Sequence, residues 1–392
     1  MQDSFIVAGK RTAIGDFGKS LKDIPPTKLG EIAIRAALVD AGIAAADVQH
    51  VVMGNVIHTE PRDAYLSRVA AVDAGVPFET PALTVNRLCG SGLQAIVSAA
   101  QIIQLGDADI AIAGGAESMS RGGYLLPAAR WGARLGDGMM LDMVTGALND
   151  PFGHGHMGIT AENVAARYEI SRETQDAFSV ESHRRAAVAI AEGRFKSQIV
   201  AVDLPSKKGS LVFDTDEHVR DDVSGEKLGL LKPAFKKDGS VTAGNASGLN
   251  DGGAAVVIVS GAEISRRDLK PLARIVAYGH AGVDPQYMGL GPIPASQKAL
   301  KKAGLTIADM DVIESNEAFS SQACAVARDL GFPAEKVNPN GGAIALGHPI
   351  GASGAIIAIK AIYELARVKG RYALATMCIG GGQGIAVIFE RV

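Results

Sequence analysis

The chain has 392 residues, of which 47% are hydrophobic and 21% charged, with a net charge of −3. That length exceeds one ordinary core, so two or more subdomains are expected, and the charge balance gives no basic surface for nucleic acid or an anionic membrane. Three cysteines form no disulfide framework and predict reduced thiols in a cytoplasmic protein.

The first residues, MQDSFIVAGKRTA, lack the basic-then-apolar order of a signal peptide. HVVMGNV (50–56) is strand-like, and a glycine loop follows in VNRLCGSGLQA (85–95). After it Leu93, Ile96, Val97, Ala100 and Ile103 recur at helical spacing, and Gly106 predicts the stop. Cys89 therefore sits at or just before a helix N-terminus. Two readings stand: a buried thiol in a tight turn, or a nucleophile whose thiolate is favoured by unpaired N–H groups and the helix dipole.

DADIAIAGG (107–115) is the next strand-like run. From about 120 to 243 the chain becomes richer in charge and turn residues, as in DLPSKKGSLVFDTDEHVRDDVSGEK (203–227), and reads as an insertion. It carries helices of its own, for example ETQDAFSVESHRRAAVAIAEG (173–193). Strand-like runs then resume with GGAAVVIVS (252–260), MDVIESN (310–316) and YALATMCI (372–379). The longest apolar runs of this kind are too short to span a bilayer. Strands alternating with helices predict an α/β fold with largely buried sheets.

Two internal echoes refine that expectation. ALVDAGIAAADVQHVVMGN (37–55) matches ALKKAGLTIADMDVIESNE (299–317), with Asp47 opposite Asp309 and Val51 opposite Ile313. The segment 85–115 likewise matches 337–382, each reading as strand, glycine loop, helix, strand. Two echoes in one order imply two similar halves related by a pseudo-twofold.

Three polar loops follow strands or precede helices of the second half. ESNEAF (314–319) carries Asn316, which is either a helix cap for AFSSQACAVARDLG (318–331) or a site residue. GGAIALGHPIGASG (341–354) carries His348, biased away from helix by Pro349. MCIGGGQG (377–384) carries Cys378, with Gly380 two residues on. In α/β architectures the strand-end edge is where ligands bind. His154 and His156 have no third ligand at suitable spacing, so no metal is expected.

The ordered motifs NRLCGSGLQA, GGAESMS, HMGITAENVA, TAGNASGLNDGGAA, GPIPAS, NEAFSSQA, NPNGGAIALGHPIGASGA and CIGGGQG resemble the thiolase family from end to end. The text is nearest its bacterial acetyl-CoA acetyltransferase and broad-range β-ketothiolase branch. The resemblance implies a thiolase fold: two βαβαβαββ halves in a five-layered α-β-α-β-α core, with an inserted loop domain. The expected division is 1–119 plus 244–268, a loop domain over 120–243, and 269–392. The implied reaction is reversible Claisen condensation of acyl-CoA, or thiolysis of short-chain 3-ketoacyl-CoA.

The same resemblance implies roles. Cys89 carries the acyl group, His348 takes its proton, Cys378 is the second acid/base, and Asn316 with His348 stabilises an enolate. Backbone N–H groups of Cys89 and Gly380 form another oxyanion hole. His156, Met157, Arg220 and Ser247 surround coenzyme A, while Leu148, Phe235, Ala243, Leu249, Met288, Ala318 and Phe319 line the pantetheine channel. Coenzyme A thioesters are then substrates, and no cofactor is implied. The segment 118–138, with Tyr124 and Trp131, resembles the family's tetramerisation loop and implies a homotetramer. Two rivals differ at particular positions. A β-ketoacyl synthase would carry a second histidine where Asn316 stands, and a non-catalytic acyl-CoA binder would need neither cysteine pair nor His348. A nucleotide-binding reading lacks a phosphate-loop motif.

Overall fold

The structure is a computed structural model and describes residues 2–206 and 209–392; Lys207 and Lys208, inside the charged stretch of the insertion, lie outside it. Nine strands of four or more residues make up its main sheet system, β1 (Ser4–Thr12), β2 (His50–Gly54), β3 (Ala82–Val85), β4 (Ile110–Ser118), β5 (Asn250–Ser260), β6 (Ala273–Gly282), β7 (Val312–Ser315), β8 (Tyr372–Ile379) and β9 (Gln383–Glu390). Their order is β7-β8-β9-β6-β1-β5-β4-β2-β3. Outward from the centre, β1-β5-β4-β2 on one side repeats as β6-β9-β8-β7 on the other. Among the described residues, the sheets of the two halves pair through Phe5 opposite Arg274 and Ile6 opposite Ala273.

The helices repeat too: α1 (Pro26–Ala41), α2 (Leu66–Asp73) and α3 (Ser91–Leu105) of the first half answer to α6 (Pro292–Ala303), α7 (Ser320–Leu330) and α8 (Ile350–Arg367) of the second. The insertion contributes α4 (Met157–Arg167) and α5 (Arg172–Ala191). α3 and α8 pack on each other between the two sheets, α1 covers the outer face of β5 and α6 covers β6 and β9. This gives α-β-α-β-α layering. A window from Leu88 to Leu105 is apolar enough by composition to cross a membrane; here it forms the middle layer, its apolar side facing α8 and the sheets.

The first echo holds down to its turns. Gly42 and Gly304 end α1 and α6 in the left-handed conformation, at φ 64° and 68°. Asp47 and Asp309 each close a short 3-10 turn before β2 and β7. The second echo holds except at its start. Where β3 leads into the Cys89 loop, the matching segment contributes only an isolated bridge between Ile313 and Val337. Pro333 and Pro339 flank that segment, and proline donates no ladder hydrogen bond. The insertion is less helical than its α5 pattern alone suggests: it also folds two hairpins, Tyr124–Leu125 with Leu141–Asp142 and Val202–Ser206 with Gly209–Phe213.

Candidate active site

The N-terminal half delivers Cys89 on a strained turn. Leu88 adopts φ 45°, a region that non-glycine residues enter only when their surroundings hold them. The clamps are adjacent. Asn86 Oδ1 accepts from the Leu88 N–H at 3.0 Å, and Ser91 Oγ accepts from the Arg87 N–H at 2.8 Å while donating to the Leu88 carbonyl at 2.7 Å. Cys89 leaves this turn two residues before α3 begins.

The C-terminal half delivers His348 in a non-helical link before α8. Its N–H donates to Asn250 Oδ1 at 2.8 Å, and its ring Nδ1 lies 2.7 Å from Ser353 Oγ. The Ser353 hydroxyl proton goes to the Pro349 carbonyl at 2.9 Å. Ser353 can therefore only accept from the ring, which puts the proton on Nδ1 and leaves Nε2 as a lone pair. Nε2 is buried and has no partner among the described residues. Burial also lowers the ring pKa to about 4, so the imidazole is neutral at physiological pH.

β7 and β8 run parallel, Ser315 beside Thr376, and the Asn316 N–H donates to the Thr376 carbonyl. Asn316 and Cys378 thus leave neighbouring strand ends. Asn316 is 2% exposed with both amide atoms unpartnered among the described residues.

These segments meet at a cavity of about 350 Å³ lined by Cys89, His348, Cys378 and Gly380. Its upper wall comes largely from the insertion: Leu148, His156, Met157, Phe235 and Ala243, with Ser247 and Leu249 just beyond. Met288, Ala318 and Phe319 close the far side. His156 stacks on Phe235 at 4.8 Å between centroids, and Phe235 meets Phe319 edge-on at 6.1 Å. The Ser247 N–H donates to the Ala318 carbonyl, stitching the two loops together. Of the residues expected at the site, Asn316 and Arg220 do not line the cavity. Asn316 is buried without lining it, and Arg220 is exposed on the surface. Among the lining residues that sequence reasoning missed are Leu88, Met119 and Ile350; each is apolar and lies within or beside a motif, where an ordinary core position looks the same.

The thiols behave differently from the expectation drawn at the helix start. Burial pushes Cys89 up to about 11, against hydrogen bonds from the backbone N–H groups of Gly380 and of Cys89 itself. The correction has a plain cause: the dipole of a helix end is worth about 0.3–1 kcal/mol, less than the cost of placing a charge in an apolar cavity. Cys378 is pushed up as well, first by burial and then by the charge of Cys89. The resting site is therefore uncharged: two thiols and a neutral imidazole whose lone pair faces the cavity.

The thiolase N-terminal domain model matches residues 4–262 and the thiolase C-terminal domain model residues 269–391. The chain is 64% identical to the beta-ketothiolase BktB of Cupriavidus necator, over 99% of this chain and 98% of that one. It is 51% identical to an acetyl-CoA acetyltransferase of Chromobacterium violaceum, over 98% and 99%. Human mitochondrial 3-ketoacyl-CoA thiolase superposes with TM-score 0.98 at 45% identity, covering 100% of this chain and 99% of the other. A structure of the same human protein in complex with CoA superposes with TM-score 0.96, at 45% identity over 100% and 98%.

Proposed function

The chain belongs to the thiolase family, and we propose that it is an acyl-CoA C-acetyltransferase that works through an acyl thioester on Cys89. The observation that carries this reading is the uncharged cysteine pair around the free Nε2 of His348, at the end of an apolar cavity.

As the Cys89 sulfur attacks the thioester carbonyl of acetyl-CoA, its proton passes to His348 Nε2. The backbone N–H groups of Cys89 and Gly380, already directed at the sulfur, meet the developing oxyanion. The carbon–sulfur bond to coenzyme A breaks, and the leaving thiolate takes the proton of Cys378. Acylated Cys89 carries no charge, so the repulsion that opposed ionisation of Cys378 is gone, and the imidazolium of His348 faces the same cavity. Cys378 then removes an α-proton from a second acetyl-CoA. The enolate oxygen is held by His348 and, through a water, by Asn316. Its carbon attacks the acyl group, the carbon–carbon bond forms, and Cys89 leaves and regains its proton from His348. All protons balance, and thiolysis is the reverse sequence.

The apolar wall of Leu148, Met157, Phe235, Met288 and Phe319 suits a pantetheine arm, with Ser247 as a polar contact, and Arg220 outside the mouth suits the phosphates of the nucleotide end. Coenzyme A enters as substrate and the residues named supply every proton transfer. Short acyl chains, of about C4 to C6, fit a cavity of this size. The two sheet halves and the insertion support a division into 1–119 plus 244–268, 120–243 and 269–392. The exposed Tyr124, Leu125, Trp131 and Leu135 suit assembly into a tetramer, and a place in cytoplasmic fatty acid metabolism is consistent with this chemistry. Mass spectrometry after incubation with acetyl-CoA and rapid quenching tests the reading. Wild type gains one acetyl group that Cys89→Ala does not; an unmodified wild type together with absent thiolysis overturns it.

A further inference from the structure

Glu117, at the end of β4, is fully buried, and among the described residues its side chain has no salt-bridge partner. Its carboxylate instead accepts four N–H bonds from two different parts of the fold. Oε1 takes the Asn55 side-chain amide at 3.0 Å and the Ile57 N–H at 3.1 Å. Oε2 takes the Val56 N–H at 3.1 Å and the Gly351 N–H at 2.9 Å. Asn55, Val56 and Ile57 follow β2 in the half that carries Cys89; Gly351 opens α8, three residues after His348.

The packing leaves no alternative occupant for this place. A Cβ on Gly351 would lie 2.5 Å from Oε2, so the carboxylate and the helix backbone are in contact. Ile350 lines the cavity, packs with Ile57 and Met119, and has Cys89 against the same cluster. One side chain thus joins the wall behind the nucleophile to the link that bears its base. An anion at the first turn of an 18-residue helix also meets the positive end of its dipole.

We propose that Glu117 is a positioning residue: it locks the His348-bearing link of one half to the Cys89-bearing half, and once ionised it stands as a negative charge beside the nucleophile. The consequence for the thiol has a definite sign. Burial pushes the Glu117 carboxyl up to about 8, against the pull of the N–H groups of Ile57, Val56 and Gly351, and with Asp63 as a further acidic neighbour. Cys89 ionises higher, at about 11, and the Glu117 charge is among the causes. Over the range in which the thiol titrates, Glu117 is already a carboxylate, so removing its charge makes the thiolate easier to form. The lost register has the opposite effect on catalysis, because Nε2 no longer faces the sulfur in a fixed geometry.

Glu117→Gln tests both arms. A glutamine keeps one acceptor oxygen and sets its amide hydrogens against either the Asn55–Ile57 pair or the Val56–Gly351 pair. Acetylation of Cys89 by acetyl-CoA then slows by about 10- to 100-fold, while KM stays within about threefold because the coenzyme A walls are separate. In the same variant the pH midpoint of Cys89 alkylation by iodoacetamide moves acidward. Should Glu117→Gln not fold, Asn55→Ala withdraws one of the four donors but keeps the Glu117 charge, so acetylation slows by a smaller factor and the alkylation midpoint does not move acidward. A wild-type acetylation rate in a folded variant, or an unmoved alkylation midpoint in folded Glu117→Gln, overturns the proposal. The inference rests on Cys89 and His348 acting as proposed, and the two fail differently: absent acetylation of wild type refutes that reading, whereas acetylating variants with wild-type rates refute this one.

Discussion

Replacing Ser353 with alanine isolates what the tautomer of His348 contributes. In the wild type the Nδ1–H of the ring ends on Ser353 Oγ at 2.7 Å, inside a site where Ser353 is 3% exposed and His348 5%. Alanine leaves that N–H buried without an acceptor, which costs about 1–3 kcal/mol. The ring avoids the cost by moving its proton to Nε2, where it faces the open cavity. The productive tautomer then falls in population by about 5- to 150-fold, at 1.4 kcal/mol per decade. Since Nε2 must be unprotonated to take the thiol proton, the acetylation rate of Cys89 falls by the same factor. KM for acetyl-CoA changes little, because Ser353 does not itself line the cavity. Alanine also suits a helical position, so the fold is expected to persist. The assay is rapid-quench mass spectrometry of the Cys89 acetyl adduct as a function of time, beside a thermal melt. Ser353→Thr, which keeps a hydroxyl, is expected to retain most of the rate. If Ser353→Ala acetylates as fast as wild type while folded, the tautomer argument is wrong.

As pH falls from about 6.5 to 4, the buried histidines are expected to withdraw stability from the fold. His183 and His348 are buried with ring pKa values lowered to about 4, first by burial in both cases; they are neutral in the fold above that value and protonate more readily when unfolded. Each contributes up to about 1.4 kcal/mol per pH unit over that window, while Glu117 and Glu314, raised to about 8 and about 7, act in the opposite direction. The histidine contribution is therefore read as the difference in denaturant midpoint between wild type and His183→Gln, and a difference that stays flat from pH 7 to pH 5 would contradict it. Lys360→Met strands Glu314, whose Oε2 lies 2.7 Å from Lys360 Nζ with both side chains at most 2% exposed; the loss is about 3–5 kcal/mol, and adding Glu314→Gln should recover part of it in the same melts. Met288→Ala removes three heavy atoms from the cavity wall, so kcat/KM for longer 3-ketoacyl-CoA should gain relative to the four-carbon substrate, by about fourfold for each extra methylene accommodated. A substrate panel with unchanged ratios would place the acyl chain against another wall.

The sequence by itself determined the duplicated architecture and the chemistry-bearing loops. Gly42 and Gly304, Asp47 and Asp309, and the two glycine loops recur in register because turns and caps are local: a left-handed helix stop or a 3-10 turn is set by a few neighbouring residues. The helix after Cys89 and the long helix of the insertion were legible for the same reason. Only the tertiary structure decided how those loops behave together. It set Cys89 high instead of low, because the apolar wall that desolvates it comes from segments tens to hundreds of residues away. It assigned the His348 proton through Ser353 and Pro349, buried Asn316 outside the cavity lining, left Arg220 on the surface, and reduced the strand expected at Val337 to a single bridge. Glu117 carried no signal within GGAESMS, since its meaning lies in N–H groups donated by Asn55, Val56, Ile57 and Gly351. Periodicity reports which face of an element is apolar; desolvation, tautomer and register depend on what the rest of the chain packs against it, and that is decided only when both halves close on each other.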